Sequence, residues 1–138
     1  MRLRKDTKVE LIGAVPLFAN CSKAELQRIA SLADELDLGD GATLIREGER
    51  GREFLVVVDG TVTVTKGGKK IRDLGAGDFI GEIALISDVP RTATVTATSP
   101  VRLLVVTDRA FRGLVEEMPS IATKVLQSLG ERLHADAV

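Results

Sequence analysis

The sequence predicts an α+β fold: a β-roll of about eight antiparallel strands, of the double-stranded jelly-roll kind, flanked by N-terminal and C-terminal helices. Three observations lead there. Residues 34–107 break into short apolar or alternating runs, separated by Gly-rich turns at close and even spacing. Residues 1–33 and 108–138 instead space their apolar residues for helices. The chain has 138 residues with no linker, low-complexity tract or internal repeat, which suits a single domain over 1–138.

The elements follow in order. Val9, Leu11, Ile12 and Val15 share one helical face before Pro16 interrupts, and Leu17 and Phe18 read as a core plug. Ser22 fits an N-cap, with Glu25 three residues on completing a capping box; Leu26, Ile29, Ala30 and Ala33 carry the helix it starts. Leu36 and Leu38 then alternate with acids, and a Gly39–Gly41 turn follows. Strands are expected at 43–46, 54–58, 61–65 and 71–74. Asp59-Gly60 reads as a hairpin turn, Gly67-Gly68 as another turn, and residues 75–78 as a third. Phe79-Ile80 ends a strand, and 92–98 and 101–106 read as a last strand pair around Ser99-Pro100. Asp108 is a candidate N-cap for a helix to Glu117, Met118-Pro119-Ser120 a break, and Ile121, Val125, Leu126, Leu129 and Leu133 a stripe along the last helix, with Leu129 and Leu133 packing on the roll.

Composition removes several classes of function. Formal net charge is −1, so no global basic field draws the chain to nucleic acid or to an anionic membrane. No apolar run nears the roughly 20 residues of a membrane span, and the charged start MRLRKDTKVE lacks a secretory apolar region. The single Cys21 gives no sign of an oxidising compartment, and the expected location is the cytoplasm. One histidine, His134, cannot build a multi-histidine metal centre, and it lies on a segment that reads as helix surface, a poor place for a catalytic triad. No enzyme activity, metal or cofactor is expected. Four Phe and no Trp or Tyr argue against a stacking platform for single strands.

The stretch GEIALISDVPRTATV, residues 81–95, carries the chemistry. Gly81 lets the backbone turn or approach a ligand, and 82–86 suit one short helical turn whose first amides point outward, a ready anion site. Arg91 follows a proline that fixes the backbone, and its planar fork suits a phosphate. Beside a phosphate, Glu82 is tolerable where it faces hydroxyls, as on a ribose diol. Phosphate plus ribose is a nucleotide, and the absence of a P-loop lysine argues against a triphosphate. The bland alternative is a plain Glu82–Arg91 salt bridge across a turn.

FIGEIALISDVPRTATV, residues 79–95, resembles the phosphate-binding cassette of cyclic nucleotide-binding domains, the catabolite-activator and protein kinase A regulatory-subunit type. Phe79, Gly81, Glu82, Ala84, Leu85, Arg91, Thr92 and Ala93 match the family pattern Phe-x-Gly-Glu-x-Ala-Leu, a gap, then Arg-(Ala/Ser/Thr)-Ala. PLF at 16–18 and the run from Gly39 to Val64, with REG at 46–48 and VDGTVTV at 58–64, are similar to other parts of the family, so the resemblance covers nearly the whole chain.

The resemblance implies a role for each residue. Gly81, Ile83 and Ala84 would line a cyclic phosphate with backbone groups. Glu82 would accept from the ribose 2′-hydroxyl, Arg91 would pair with the exocyclic oxygens, Thr92 and the Ala93 amide would add donors, and Val64 and Ile71 would give apolar surface to ribose and base. It implies helices about 1–33, the roll 34–107 with its cassette 79–95, and B/C-type helices 108–138. It implies a ligand, cAMP favoured over cGMP, and a movement of the C-terminal helices on binding. A hydroxyl at Thr92 is the feature that would favour cGMP; its bland reading is a local strand bond. Arg46 and Arg50 read as solvated loop charges.

One departure stands out. The family caps the base from its C-terminal helix or a partner subunit, and this chain has no aromatic after Phe111. The cap would then come from Leu129, Arg132, Leu133 or Asp136, or from another chain. No DNA-reading or kinase motif accompanies the domain, so it is expected to be either a standalone sensor or a regulatory fragment. Expected partners are the nucleotide and either a second copy or a downstream effector, with no direct nucleic acid and no membrane. The competing reading is a non-binding interaction module of the same fold.

Overall fold

The computed structural model describes residues 2–136, the side chains of residues 135 and 136 excepted. The chain forms two compact units: a roll, Asp34–Arg109, and a helical unit made from residues up to Ala33 and from Ala110 onward.

In the roll, eight antiparallel strands make two four-stranded sheets. They are β1 (Asp34–Leu38), β2 (Thr43–Ile45), β3 (Glu53–Asp59), β4 (Val62–Lys66), β5 (Lys69–Leu74), β6 (Phe79–Ile80), β7 (Thr94–Ala97) and β8 (Val101–Thr107). One sheet runs β1-β8-β3-β6 and the other β2-β7-β4-β5. Strand existence follows the expected pattern; two expected pairings do not. Asp59-Gly60 does not close a hairpin, since β3 and β4 lie in different sheets, and the same holds for β7 and β8 across Ser99-Pro100.

Turn chemistry explains the difference. A two-residue type I′ hairpin needs positive φ at both central residues. Gly67 (57°) and Gly68 (79°) supply it, and β4 and β5 pair across them; at 59–60 only Gly60 (95°) does. The two crossings between sheets instead pack on each other. Thr61 N donates to Ser99 Oγ at 3.0 Å, and Thr98 N to Thr61 O at 3.0 Å. A side chain on Gly60 would meet the Pro100 carbonyl and Val101.

Between the sheets, Ile45, Leu55, Val57, Val62, Val95, Ala97, Val101 and Leu103 form one buried cluster, the inward half of the period-two alternation of both sheets. The other face of β3 and β8 is buried as well, at Phe54, Val56, Leu104 and Val106, so these central strands read as continuous apolar runs.

The helical unit holds α1 (Lys5–Gly13), a 3-10 turn (Pro16–Phe18), α2 (Lys23–Ser31), α3 (Asp108–Glu117, from Ala110 on) and α4 (Ser120–Asp136). The capping box forms: Ser22 Oγ accepts from Glu25 N at 3.2 Å and Glu25 Oε1 from Ser22 N at 2.7 Å. Leu17 and Phe18 are buried, Phe18 stacking at a tilt on Phe111 with centroids 5.8 Å apart. Asp108 opens α3, its Oδ1 accepting from the Arg109 amide at 2.7 Å. The α4 stripe is narrower than its sequence pattern. Ile121 and Val125 are buried, Leu129 is half-buried, but Leu126 and Leu133 are 68% and 72% exposed, so Leu133 is no core residue. The buried face passes through 121, 125 and Ser128, and Leu126 and Leu133 stand about a third of a turn away from it.

Candidate functional site

Gly81 ends β6 with φ +79°, a left-handed conformation that L side chains rarely adopt, and so redirects the chain into a 3-10 turn, Glu82–Leu85. Ala84 and Leu85 are buried and anchor that turn, while Ile83 is 41% exposed. The Ala84 amide donates to the Gly81 carbonyl at 3.0 Å, so it is occupied within the turn. The amides of Glu82 and Ile83 have no acceptor among the described residues. Two adjacent open donors at the start of a helical turn favour an anion.

Arg91 arrives from the other side. Its backbone is clamped to the loop between β2 and β3, with Arg91 N donating to Glu49 O at 2.7 Å and Gly48 N to Arg91 O at 2.9 Å. Its side chain is only 10% exposed, and Nη2 donates to the Glu53 carbonyl at 2.6 Å. Glu53 Oε2 stands 3.7 Å from the same nitrogen. A Cβ on Gly51 would lie 2.9 Å from Arg91 Nε, and one on Gly81 would collide with Nη1, so two glycines make the slot in which the guanidinium lies. Desolvation pushes the Arg91 pKa down and Glu53 pushes it back up; the group stays a cation. Nε and Nη1 have no acceptor among the described residues and are available to an oxyanion.

Glu82 is half-buried and makes no hydrogen bond or ion pair among the described residues. The plain Glu82–Arg91 salt bridge therefore does not form; the carboxylate near Arg91 is that of Glu53. Glu53 and Gly51 are the residues that sequence reasoning missed. Glu53 falls just before the strand expected at 54–58, and only the fold brings it beside a position 38 residues away.

The other expected residues lie as follows. Thr92 is exposed and Ala93 half-buried, leading into β7. Val64 on β4 is half-buried and registers with Val95 on β7. Ile71 is 56% exposed at the point where the β4–β5 register shifts by one residue. Arg46 and Arg50 are exposed, as expected, in surface pairs with Glu49 and Asp88 at 3.5 and 3.0 Å. Leu129, Arg132 and Leu133 lie on α4 in the helical unit, and the side chain of Asp136 falls outside the described residues. Among the described residues no group of three His, Cys, Asp or Glu side chains is placed to hold a metal, and no helix is long and apolar enough to cross a membrane. A separate groove of about 880 Å³ between α1 and α2 is lined by Lys5, Lys8, Lys23 and Gln27 with Asp6 and Glu10; its mixed charges select no ligand class.

Comparison with known proteins gives a consistent picture. The profile of the cyclic nucleotide-binding domain matches residues 35–118. A cyclic nucleotide-gated potassium channel of Rhizobium etli is 38% identical over 123 residues, 89% of this chain and 34% of the channel. A cAMP-dependent protein kinase regulatory subunit of Mycosarcoma maydis is 40% identical over 136 residues, 89% of this chain and 26% of that protein. The chain thus spans a quarter to a third of the length of the curated relatives it matches. Among solved structures, the N-terminal domain of a transcriptional regulator from Streptomyces coelicolor A3(2) superposes with TM-score 0.84 at 28% identity, over 91% of this chain and 94% of that one. A structure of cAMP-bound PfPKA-R (141-441) superposes with TM-score 0.69 at 26% identity, over 91% and 47%.

Proposed function

The chain belongs to the cyclic nucleotide-binding domain family, and from that premise we propose that it is a regulatory sensor module that binds cAMP and passes the event on through its C-terminal helices. The observation that carries the reading is the pairing of the Arg91 fork, held in its glycine slot with Nε and Nη1 open, with the open amides of Glu82 and Ile83. A cyclic phosphate offers two exocyclic oxygens to that set. The unpaired Glu82 carboxylate then takes the ribose 2′-hydroxyl, and Gly81 keeps the backbone low enough for contact. The Ala84 amide is a weaker member, since its proton already serves the turn. Val64 and Ile71 give the ribose and base an apolar wall, Thr92 and the Ala93 amide add donors, and the cap over the base comes from Leu129, Arg132, Leu133 or Asp136 of α4, or from a second chain.

On this reading residues 1–138 act as one domain, with no catalytic step, no cofactor beyond the ligand and no contact with nucleic acid or membrane. Its place is the cytoplasm, and its output goes to an effector, covalently joined or separate, or to a second copy. Both cAMP-dependent and cGMP-dependent kinases occur among the relatives. One observation favours cGMP as second reading: the exposed Thr92 hydroxyl has no partner among the described residues and is free for a guanine amino group.

Calorimetric titration with cAMP and cGMP on the wild type, Arg91→Leu and Thr92→Ala tests the reading. The expected result is tighter binding of cAMP than cGMP, and a loss of about 100-fold or more in Arg91→Leu, since two charge-assisted hydrogen bonds are removed. Preference for cGMP that disappears in Thr92→Ala would establish the second reading. Binding of neither nucleotide overturns both and leaves the interaction module.

A further inference from the structure

Glu47, in the loop between β2 and β3, takes no part in the nucleotide contacts, yet its side chain reaches across to another element. Its Oε1 accepts from the Gly67 amide at 3.1 Å. Gly67 and Gly68 form the tip of the β4–β5 hairpin, with φ at +57° and +79°. In a two-residue turn of this kind the ladder bonds join the flanking residues and leave the central amides pointing outward, so an acceptor must come from elsewhere. Gly67 N has no acceptor besides Glu47 among the described residues.

The same loop is fastened to the phosphate side of the site. Glu47 N donates to Thr94 Oγ1 at 3.0 Å, and the next two residues hold the Arg91 backbone, Gly48 N donating to Arg91 O at 2.9 Å and Arg91 N to Glu49 O at 2.7 Å. Residues 47–49 thus bind the hairpin tip, the start of β7 and Arg91 together. The hairpin has little else to fix it there. β5 is the outer strand of its sheet, and β4 pairs with β7 only over Val62–Thr65, so Lys66 and the turn project past the last pair, Thr65–Thr94. Val64 lies three residues before Gly67 and Ile71 three after Gly68, so a displaced tip displaces both. Ile71 also sits at the register shift between β4 and β5, where a ladder bends most easily.

We propose that Glu47 is a positioning residue for the base: by tying the β4–β5 turn to the loop that holds Arg91, it fixes the apolar wall of Val64 and Ile71 relative to the phosphate cradle and so favours a purine over a smaller base. The proposal rests on the reading that the site takes a cyclic nucleotide with Val64 and Ile71 beside its base. Ribose and phosphate are gripped by residues 81–93, which Glu47 does not touch with its side chain. Releasing the tip therefore weakens the hold on the base and leaves the rest. A purine, which covers more of the wall, loses more than a pyrimidine.

Calorimetric titration of the whole chain with cAMP and with cCMP, which share ribose and phosphate and differ in the base, tests it on the wild type, Glu47→Ala and Glu47→Gln. Glu47 is exposed, so its removal leaves no buried gap and the variants are expected to fold. The wild type should bind cAMP more tightly than cCMP. In Glu47→Ala the cAMP affinity should fall about three- to tenfold, the worth of one hydrogen bond, while the cCMP affinity changes less than about twofold. Glu47→Gln keeps an acceptor for the Gly67 amide and should restore the wild-type ratio. Equal losses for both nucleotides in Glu47→Ala would mean that Glu47 acts on the phosphate side or on the fold at large, and would overturn the proposal while leaving cyclic nucleotide binding in place. An unchanged Glu47→Ala, a wild type indifferent to the base, or a Glu47→Gln that behaves as Glu47→Ala would overturn it likewise. A wild type that binds neither nucleotide would remove the cyclic nucleotide reading itself, and this proposal with it.

Discussion

Gly81 and Arg91 compete for one small volume: a side chain on Gly81 would overlap Arg91 Nη1, and Gly81 itself holds φ at +79°. The turn that opens the amides and the slot that aims the guanidinium thus depend on the same missing methyl. Gly81→Ala is expected to pay twice, through left-handed strain of about 1–2 kcal/mol and through displacement of Arg91. Gly41 separates the two effects, because it has φ +87° with nothing within 4 Å of an added Cβ. Urea unfolding should show similar strain in Gly41→Ala and Gly81→Ala. Calorimetry should show cAMP affinity falling about tenfold or more in Gly81→Ala only. Equal affinities in the two variants would mean that Arg91 does not need its slot.

A related pair of variants weighs the two contacts of Arg91 with Glu53. The carbonyl bond at 2.6 Å survives any side-chain change at 53, and the carboxylate at 3.7 Å belongs to a half-exposed group. Glu53→Gln is therefore expected to change cAMP affinity by less than about threefold, as a screened ion pair is worth about 0–1 kcal/mol. Arg91→Lys keeps the charge but loses the fork, and is expected to cost about 10–100-fold. A Glu53→Gln loss as large as that of Arg91→Lys would make the carboxylate, rather than the carbonyl, the group that aims Arg91.

Much of this was legible in the sequence, for reasons that differ by residue. Ser22 and Glu25 announce their capping box through purely local chemistry, and the Gly67-Gly68 turn declares a hairpin because both residues can take positive φ. Asp59-Gly60 looks equally strong by composition, yet Asp59 has no positive φ, and the pairing of β3 is decided by distant β8 and β6 instead. The motif 79–95 located Gly81, Glu82 and Arg91. It could not show that Arg91 leans on Glu53, or that Glu25 meets Ser120 and Lys124, because both relations join parts of the chain that share no local pattern.

Glu25 also sets an acid dependence. Its carboxyl is held below the ordinary range, first by the Ser120 hydroxyl, then by the Ser22 amide and hydroxyl and by Lys124, against the opposing effect of burial. The folded value lies below the unfolded one, so the unfolded chain binds the proton more tightly. The stabilisation is then complete above the ordinary glutamate value of about 4.3 and is lost as pH falls through the folded value. Urea midpoints of the wild type should fall between pH 5 and pH 3, and the fall should be shallower in Glu25→Gln. Parallel curves for the two proteins would show that Glu25 does not titrate differently in the folded state.

α4 carries a glycine, Gly130, at an exposed helical position where an added Cβ meets nothing within 4 Å. No packing reason requires it, so Gly130→Ala should stabilise the helix by about 0.5–1 kcal/mol through reduced backbone freedom in the unfolded chain. For a chain of this size that amounts to about 2–4 °C in Tm. A lowered Tm would show that position 130 needs its flexibility in the folded state.

Cys21 lies beside the same buried carboxylate and feels it. Desolvation first, and the Glu25 charge second, push its thiol up to about 11, with Lys124 opposing. Two units above an ordinary value of 9.0 reduce the thiolate at neutral pH about 100-fold. Greater nucleophilicity of the more basic thiolate returns part of that, leaving a deficit of about tenfold at equal access. Reaction with an aromatic disulfide at pH 8 should therefore be at least tenfold slower in the folded protein than in urea. Glu25→Gln should recover part of the difference, because it removes the negative charge without emptying the site. A folded rate equal to the unfolded one would place Cys21 outside the influence of Glu25, and would weaken the case that this carboxylate is charged where it sits.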